Sequence, residues 1–563
     1  MKKNNLVLMS VRLCCVVMAA ALPQAGLAAP PPTPDSGALL QQNKAPPDVA
    51  PSSGSTGIVL ESPGRATLPA SAPFVVNQIQ IDGNTAFDTP TLHALVADVE
   101  GHEQTLQQLG EVVYRITSYY HDHGYPLARA YIPAQSIHDG VLRVSVIEAR
   151  YGQVLLTNHS LARDEVLRST LSNLNIGDLV EQNRLDRTLL LLSDIPGVSA
   201  TSLIRPGTEV GSSDLMVDAS ATPAWNGSTT FDNYGNTFTG RDRLSGTWNW
   251  IDPLKLGDVL SVYALSTGRN MDNLSLTYET QLGGQGTRLG GSASALHYTL
   301  GDTLTNIDGH GIAQVGSVWI KYPWQRSVNV NVYSQFQLDY KKLDDDIDST
   351  GIKTNRHIDG ATMSLNGDER DTFLAGAVSS WSFAWRAGQL DFDSAAAAAL
   401  NAKSAQTSGG FVKWNANYTR VQNLNENTAL QVSLSAQWSN TNLDSAEKMV
   451  AGGPYSVRAY DMGAVSGDCG LLGSIELHQN LDELVSGLQG IVYVDSEHVT
   501  VNHNPWAAGI NGASLSGAGV GLNWSNASGW HAKLSVAAPT GPVPALVSGG
   551  KKARGWIELG AWF

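Results

Sequence analysis

Residues 471–478 have the sequence Leu-Leu-Gly-Ser-Ile-Glu-Leu-His, in which apolar or small residues occupy every second position from residue 471. Residues 557–563 repeat this pattern, because Ile, Leu, Ala and Phe alternate there with Glu, Gly and Trp. Successive side chains of a β-strand point to opposite faces. Both stretches therefore predict strands with one apolar face and one more polar face.

Segments of this kind recur throughout residues 223–563, where sixteen stretches of about ten residues alternate without helical periodicity. Connections after even-numbered segments are short, such as 253–257 and 323–326. The later connections after odd-numbered segments are long, such as 342–355 and 440–467. Turns at one end and long loops at the other are typical of a transmembrane barrel with an even strand number. The pattern predicts a 16-stranded antiparallel transmembrane β-barrel, since a soluble sandwich has no reason to sort its loops this way.

Residues 74–222 have a mixed α and β pattern that occurs twice. In residues 74–149, a strand precedes two helical stretches near 90–99 and 105–123, and two short strands follow. Residues 150–222 repeat the same βααββ order. Two units of one architecture in tandem indicate an internal repeat. The expected fold class is therefore α+β repeats followed by an all-β barrel.

The first 73 residues carry no sign of a compact domain. Residues 1–28 have two early lysines, an apolar run and small residues before Ala28, which is typical of a secretory signal peptide. Residues 29–73 are rich in Pro, Ser, Gly and Ala, which predicts a linker, with one possible short helix near 36–44. Cys469 is the one cysteine after the predicted signal peptide, so no internal disulfide is expected.

The overall composition excludes several functional classes. Of 563 residues, 42% are hydrophobic and 15% are charged, and the formal net charge is −15. An acidic chain without a long basic run argues against nucleic acid as a partner.

Several local patterns resemble one protein family. Two such units ahead of a sixteen-stranded barrel are similar to the polypeptide-transport-associated (POTRA) domains and barrel of the Omp85 superfamily. More narrowly, residues 120–126 (YHDHGYP), 128–135 (ARAYIPAQ) and 231–235 (FDNYG) resemble the outer-membrane transporters of two-partner secretion, the haemolysin and haemagglutinin secretion/activation family. We refer to residues 74–149 and 150–222 as the first and second POTRA-like units.

The most specific part of the resemblance lies in residues 440–467, named here the lumen loop. Its stretch Val457-Arg458-Ala459-Tyr460 resembles the superfamily motif Val-Arg-Gly-Tyr. Ala459 departs from the motif, which has glycine at this position. Glycine adopts a positive φ readily, whereas alanine adopts it only with strain. The resemblance therefore leaves the backbone conformation of the loop tip open.

By the same resemblance, the short helix near 36–44 is a candidate plug helix. The resemblance also implies that the lumen loop folds back into the barrel, and that its arginine meets an aspartate on the inner wall of the thirteenth strand. The matching residues are Arg458 and Asp495, and alternation places Asp495 on the inward face. Glu476, inward on the twelfth strand, is a competing partner. A guanidinium inside a lumen needs a fixed anion, and a bidentate carboxylate supplies both direction and energy. An exposed loop arginine with an unrelated aspartate is the alternative.

The resemblance implies a function without an enzyme active site or cofactor. The implied partner is a large exoprotein with an N-terminal secretion domain, which binds the POTRA units unfolded and threads through the barrel. An exposed sheet edge in each unit could accept an extended chain as an added strand, unless the units are only spacers. Outer-membrane lipid and the barrel assembly machinery are further expected partners, the latter through a terminal strand ending in Phe563. The expected location is the outer membrane of a Gram-negative bacterium, with the POTRA units in the periplasm.

Two other functions fit the sequence less well. An assembly factor that inserts outer-membrane proteins is the first alternative, although such relatives usually carry three or more POTRA domains. A porin or a barrel enzyme is the second, but a porin needs no POTRA domains and no catalytic motif occurs. The aspartates at 344, 345, 346 and 348 do not match a calcium loop, because Ser349 stands where glycine is required. A solvated extracellular loop is favoured there, and no metal site is predicted.

Overall fold

The computed structural model describes residues 33–44, 58–60, 71–547 and 552–563. The predicted signal peptide, residues 1–28, lies outside the described residues, as does most of the predicted linker. Two short elements of the linker region are described, the helix α1 (Ser36–Gln42) and the strand β1 (Ile58–Leu60).

The first POTRA-like unit is built around one amphipathic helix. Thr105 caps this helix in a capping box with Gln108, and its apolar face is buried against a three-stranded sheet. The expected first strand is interrupted at Asn77, and a short strand between the helices was not predicted. The elements are β2 (Phe74–Val76), β3 (Gln78–Asp82), α2 (Thr89–His93), β4 (His102–Gln104), α3 (Leu106–Asp122), β5 (Arg129–Tyr131) and β6 (Val141–Ile147).

The second POTRA-like unit packs two helices on a four-stranded sheet. Its elements are β7 (Arg150–His159), α4 (Asp164–Leu171), α5 (Gln182–Ser193), β8 (Val198–Pro206) and β9 (Ser212–Ala221). The sheet has the order β1-β8-β9-β7. Strand β1 joins it at the edge, where Ile58–Leu60 pairs in parallel with residues 202–204 of β8.

A buried carboxylate holds the end of the first unit to the rest of that unit. Glu148 accepts hydrogen bonds from the backbone N–H groups of Thr85 and Ala86 at 2.6 and 2.8 Å and from the Tyr120 hydroxyl at 2.6 Å. Burial alone would raise the pKa of Glu148, but these bonds outweigh that effect and lower it. The ionised form of Glu148 therefore ties the loop at residues 83–88 to the C-terminal end of the first unit.

Sixteen antiparallel strands close into a barrel, as the alternating pattern predicts. Large apolar side chains such as Val492 and Val494 are more than half exposed on its outer face. The barrel strands are β10 (Trp225–Asp232), β11 (Arg243–Ile251), β12 (Val259–Ser266), β13 (Met271–Leu282), β14 (Thr287–Thr299), β15 (Gly309–Arg326), β16 (Val330–Ile347), β17 (Ile352–Asp371), β18 (Ala377–Phe392), β19 (Gly409–Asn423), β20 (Thr428–Ser439), β23 (Cys469–Asn480), β24 (Leu488–Thr500), β25 (Gly512–Ser525), β26 (Trp530–Pro539) and β27 (Arg554–Trp562).

The connections divide the barrel into a turn side and a loop side. The turn side carries the short connections and the second POTRA-like unit. There Arg326 contacts Asp194 at 2.7 Å, and Arg187 donates to the carbonyl of Pro323 at 2.8 Å. On the loop side, the connection between β18 and β19 contains the helix α6 (Ala395–Ala402), and β21 (Met449–Ala451) and β22 (Val465–Gly467) form a hairpin in the lumen loop. No helix in the described ranges is both long and apolar enough to cross a bilayer.

The expectation of a long solvated loop at 342–355 is wrong. Strands β16 and β17 stay paired from Ile347 opposite Ile352 inward, which leaves only residues 348–351 between them. A hairpin keeps its backbone pairing in water as well as in lipid, so the charged residues there extend the barrel wall instead of ending it. Asp345 consequently lies on the inner wall and is buried.

A candidate gate in the barrel lumen

The lumen loop enters the barrel between β20 and β23 and crosses from one wall to another. A 3₁₀ helix at Ser445–Glu447 begins the crossing, and the hairpin of β21 and β22 carries the tip that contains residues 457–460. Val457, Ala459 and Tyr460 are buried together with residues of β24 and β25. The loop therefore fills part of the lumen.

The structure brings Arg458 and Asp495 together. The Nε and Nη2 atoms of Arg458 donate to the two carboxylate oxygens of Asp495 at 2.9 and 2.7 Å. The backbone N–H of Arg458 donates to the same carboxylate at 3.1 Å. The side chain of Asp495 has no exposed surface, and that of Arg458 is 14% exposed. This bidentate, buried geometry gives the loop tip one preferred position on the wall.

Glu476, the competing partner, contacts the same guanidinium. Its Oε1 atom lies 2.8 Å from Nη2 of Arg458, and its other oxygen lies 3.0 Å from Nε2 of His478. The face of the Tyr493 ring covers the guanidinium carbon at 3.3 Å from the ring centroid. Arg458 is thus shared by two carboxylates and one aromatic face, which together replace the water that a cation requires.

Ala459 fits the tip without the backbone strain that its position in the motif suggested. It is absent from the described residues that have positive φ. Its Cβ packs against Gly517 of β25, where an added Cβ would lie only 2.4 Å away. The methyl group at 459 is therefore accommodated by a glycine on the facing strand.

A second anchor holds the start of the loop to the wall formed by β16, β18 and β19. Glu447 is buried and lies 2.6, 3.1 and 2.8 Å from the side chains of Lys341, Arg386 and Lys413. Burial alone would raise the pKa of Glu447, but these three cations outweigh it and hold the pKa well below its usual range. The carboxylate remains charged, so the contact depends on charge rather than on a shared proton.

The helix α1 is bound inside the barrel next to this anchor. Asp35 caps the helix, and Arg356 of β17 contacts Asp35, Asp345 and Asp444 at 3.1, 2.6 and 2.6 Å. Leu39 has no exposed surface and packs among apolar side chains of the inner wall. One buried arginine thereby joins the helix, the wall and the lumen loop.

Sequence reasoning missed this second anchor and the Arg356 cluster. The sequence evidence for these contacts consists only of charged residues at inward positions, such as Arg356 and Asp345. Alternation gives the face of each residue but does not say which of them contact each other. The four members of this cluster, Arg356 included, are separated by up to several hundred residues in the chain. Within the described residues, no group of three His, Cys, Asp or Glu side chains is arranged to hold a metal ion.

The fold and the lumen contacts define a transporter-type barrel of the Omp85 architecture, with tandem POTRA units and a loop locked to the inner wall. The family model of the haemolysin secretion/activation protein ShlB/FhaC/HecB matches residues 211–524, and that of the ShlB-type POTRA domain matches residues 74–149. The chain belongs to the haemolysin secretion/activation protein family. It is a two-partner secretion transporter, since members of this family secrete exoproteins.

The chain is similar over nearly its whole length to a curated relative. The heme/hemopexin transporter protein HuxB of Haemophilus influenzae (strain 86-028NP) is 26% identical over 548 residues, which cover 93% of this chain and 94% of the relative.

Two solved structures share the fold. CdiB from Escherichia coli has a TM-score of 0.70 at 19% identity and covers 89% of this chain and 93% of its own. CdiB from Acinetobacter baumannii has a TM-score of 0.62 at 18% identity, with 93% and 96% covered.

Proposed function

We propose that this transporter lies in the outer membrane of a Gram-negative bacterium, with its POTRA units in the periplasm and its loop side at the cell surface. The apolar outer face of the barrel fits lipid as its surroundings. The terminal strand β27 carries the alternating apolar face that suits recognition by the barrel assembly machinery. The chain itself is proposed to have no catalytic activity.

The proposed client is an unfolded exoprotein that enters from the turn side. The sheet of the first POTRA-like unit has the order β3-β6-β5, so the short strand β5 lies at its edge. The corresponding sheet of the second unit already accepts β1 at the edge of β8. An edge that accepts one strand of this chain has the hydrogen-bonding geometry to accept an extended strand of a client. Sheet edges of the POTRA units are therefore the proposed capture sites.

The observation that carries the proposed mechanism is the joint occupation of the lumen by the lumen loop and α1. A polypeptide cannot pass while Leu39 is packed on the inner wall and Arg458 is bound to Asp495. Arrival of the client must shift both elements. We infer that α1 is a plug and that the Arg458–Asp495 contact, with Glu476 beside it, sets the balance between the closed and the conducting states.

The test compares secreted and surface proteins from cells that contain the wild-type chain, no chain, or the Arg458→Ala variant. Loss of one large exoprotein without the chain, with other outer-membrane barrels at normal levels, supports the proposal. Broad depletion of barrel proteins would instead indicate an assembly factor. Arg420→Ala is the control variant, because Arg420 forms an Asp371 ion pair on the turn side, away from the lumen loop.

A further inference from the structure

The stretch 120–126, which takes no part in the lumen contacts, ends the main helix of the first POTRA-like unit. Gly124 follows α3 with a φ of +87°, which glycine adopts without strain. The N–H of Tyr125 donates to the carbonyl of Tyr120 at 2.9 Å. The N–H of Gly124 donates to the carbonyl of His121 at 3.1 Å. These two bonds form a Schellman cap, which fixes the direction in which the chain leaves α3.

The carbonyl of Gly124 caps a helix of the second unit. It accepts a hydrogen bond at 2.8 Å from the N–H of Gln182, the first residue of α5. Glu181, the N-cap residue of α5, makes no capping bond with its side chain. The first N–H groups of a helix have no partner within that helix. The first unit therefore supplies an acceptor to a helix whose own N-cap side chain supplies none.

Side chains of both units cross the same joint. Leu127 of the first unit packs against the buried core of the second. Arg150 of the second unit donates to the hydroxyl of Thr85 in the first at 2.9 Å and to the carbonyl of Gly177 at 3.0 Å. Residues 148–149 are the whole connection between β6 and β7. The joint thus combines apolar burial with hydrogen bonds and contains no flexible linker.

The opposite end of α5 is bound to the barrel. Asp194, the C-cap residue, accepts from Nε and Nη2 of Arg326 at 2.7 and 2.9 Å. A carboxylate is disfavoured at this end of a helix, where the helix dipole is negative. Asp194 is therefore placed for the contact with the barrel and not for the stability of α5.

Arg326 carries this contact on to the inner wall of the barrel. Its Nη1 donates to Oδ1 of Asn331 on β16 at 3.0 Å, and Nδ2 of Asn331 donates to Asp368 on β17 at 2.9 Å. All three side chains belong to buried residues. Polar groups in such surroundings hold their partners in a defined geometry. One continuous set of contacts therefore runs from the end of α3 through α5 to β15, β16 and β17.

We propose that α5 is a strut that joins the first POTRA-like unit to the barrel, and that Gly124 and Asp194 are the positioning residues at its two ends. The strut has 12 residues and is about 18 Å long. The first unit, the second unit and the wall at β15–β17 then move as one body. The edge strand β5 keeps a fixed place relative to the mouth of the barrel, so that a client held there enters beside the same wall each time. This last step rests on the proposed secretion function, whereas the strut itself does not.

The strut is tested by double electron–electron resonance on the full chain in lipid nanodiscs, without a client. Spin labels at Glu111→Cys on α3 and at Glu426→Cys in a turn-side connection report the distance from the first unit to the barrel, in a background with Cys469→Ser. The labelled chain should give one narrow distribution of distances. Asp194→Ala combined with Gln182→Pro should broaden this distribution at least twofold. Unchanged width in the combined variant overturns the strut.

The substitutions at Gln182 separate the backbone bond from the side chain. Gln182→Pro removes the N–H that Gly124 accepts but keeps the helix, because proline suits the first helical position and Glu181 before it is already extended. Gln182→Ala is the matched control, since it keeps the N–H and loses only the side-chain bond to Asp186. Asp194→Glu keeps the carboxylate, so Asp194→Glu with Gln182→Ala should leave the distribution narrow. Equal broadening in Gln182→Ala and Gln182→Pro would refute the role of the backbone bond.

A second label pair shows that the second unit stays folded. Glu165→Cys and Glu209→Cys both lie on exposed positions of that unit, and their distance distribution should be the same in every variant. Asp194→Ala and Gln182→Pro are also measured singly by the criterion of the combined variant. A folding failure of the combined variant therefore does not decide the outcome.

The positioning step is tested by secretion. Asp194→Ala with Gln182→Pro should reduce secretion of the client several-fold at an unchanged amount of transporter in the outer membrane, and Asp194→Glu with Gln182→Ala should preserve it. Undiminished secretion by the loosened chain overturns the positioning step. Absence of secretion by the wild-type chain would contradict the proposed function instead, and leave the distance result on the strut standing.

Discussion

Replacement of either partner of the Arg458–Asp495 pair should loosen the tip of the lumen loop, and the two replacements should differ in size. Both hydrogen bonds of the pair are shorter than 3 Å, and Asp495 has no exposed surface. Removal of one partner of a buried ion pair typically costs about 3–5 kcal/mol, because the other charge is left without compensation.

The surroundings of the pair decide where each variant falls in this range. Without Asp495, the guanidinium keeps Glu476 at 2.8 Å and the ring of Tyr493. Without Arg458, the buried carboxylate keeps one side-chain donor in these contacts, the hydroxyl of Ser474 at 2.8 Å. We therefore expect Asp495→Ala to reduce the free energy of loop docking by about 3 kcal/mol, and Arg458→Ala to reduce it by about 5 kcal/mol. At about 1.4 kcal/mol per tenfold, loop docking weakens by roughly 10²-fold and more than 10³-fold.

Hydrogen exchange of the amides of Tyr460 and Gly463 measures this loss directly, since both amides donate to carbonyls within the loop. The control is the Arg420–Asp371 pair, whose contact is of similar length at 2.8 Å but whose side chains are about one-third exposed. Its loss should therefore cost at most about 1 kcal/mol. Exchange that rises equally in the two lumen variants, or in neither, would refute the reasoning about burial and the second carboxylate. The double variant Arg458→Ala with Asp495→Ala lacks the uncompensated carboxylate. Slower exchange of these amides in the double variant than in Arg458→Ala alone would support the reasoning.

Three further predictions concern other contacts. Gly517→Ala should displace the loop tip and reduce secretion several-fold, because the new Cβ would lie 2.4 Å from that of Ala459; Ala459→Gly in the same chain should restore secretion, and failure of this rescue would argue against the proposed packing. Gly37→Ala should expel α1 and raise the conductance of the barrel in planar bilayers, since the added Cβ would lie 2.5 Å from Oγ of Ser445; unchanged conductance would show that the helix does not obstruct the pore. For Glu148, whose pKa is lowered by folding, the stabilising effect is complete above the ordinary glutamate pKa of about 4.3 and is lost as the pH falls through the lower folded value. Exchange of the amides of residues 83–88 should rise over that acidic interval in the wild type and change less in Glu148→Gln, and a pH response shared by both chains would contradict the assignment.

Alternation along the chain was sufficient to predict the barrel and its strand number. Each spanning segment must show one face to lipid and one to the lumen, so the period of two is imposed segment by segment. The same local logic predicted the two POTRA-like units and the inward face of Asp495. It was wrong at 342–355, because a hairpin that continues above the membrane no longer needs an apolar face.

The sequence by itself therefore determined what local physics requires, which is the strand count and the tandem units. The candidate residues 457–460, Glu476 and Asp495 came from the family resemblance of the sequence. Only the tertiary structure decided which inward charges meet. Arg356 binds Asp35, Asp345 and Asp444 because closure of the barrel brings β17, the helix α1 and the lumen loop to one place. The contacts of Glu447 with Lys341, Arg386 and Lys413 have the same origin. Neither can be read from alternation, since the pattern gives the face of each residue but not the stagger and curvature that set its neighbours across the lumen.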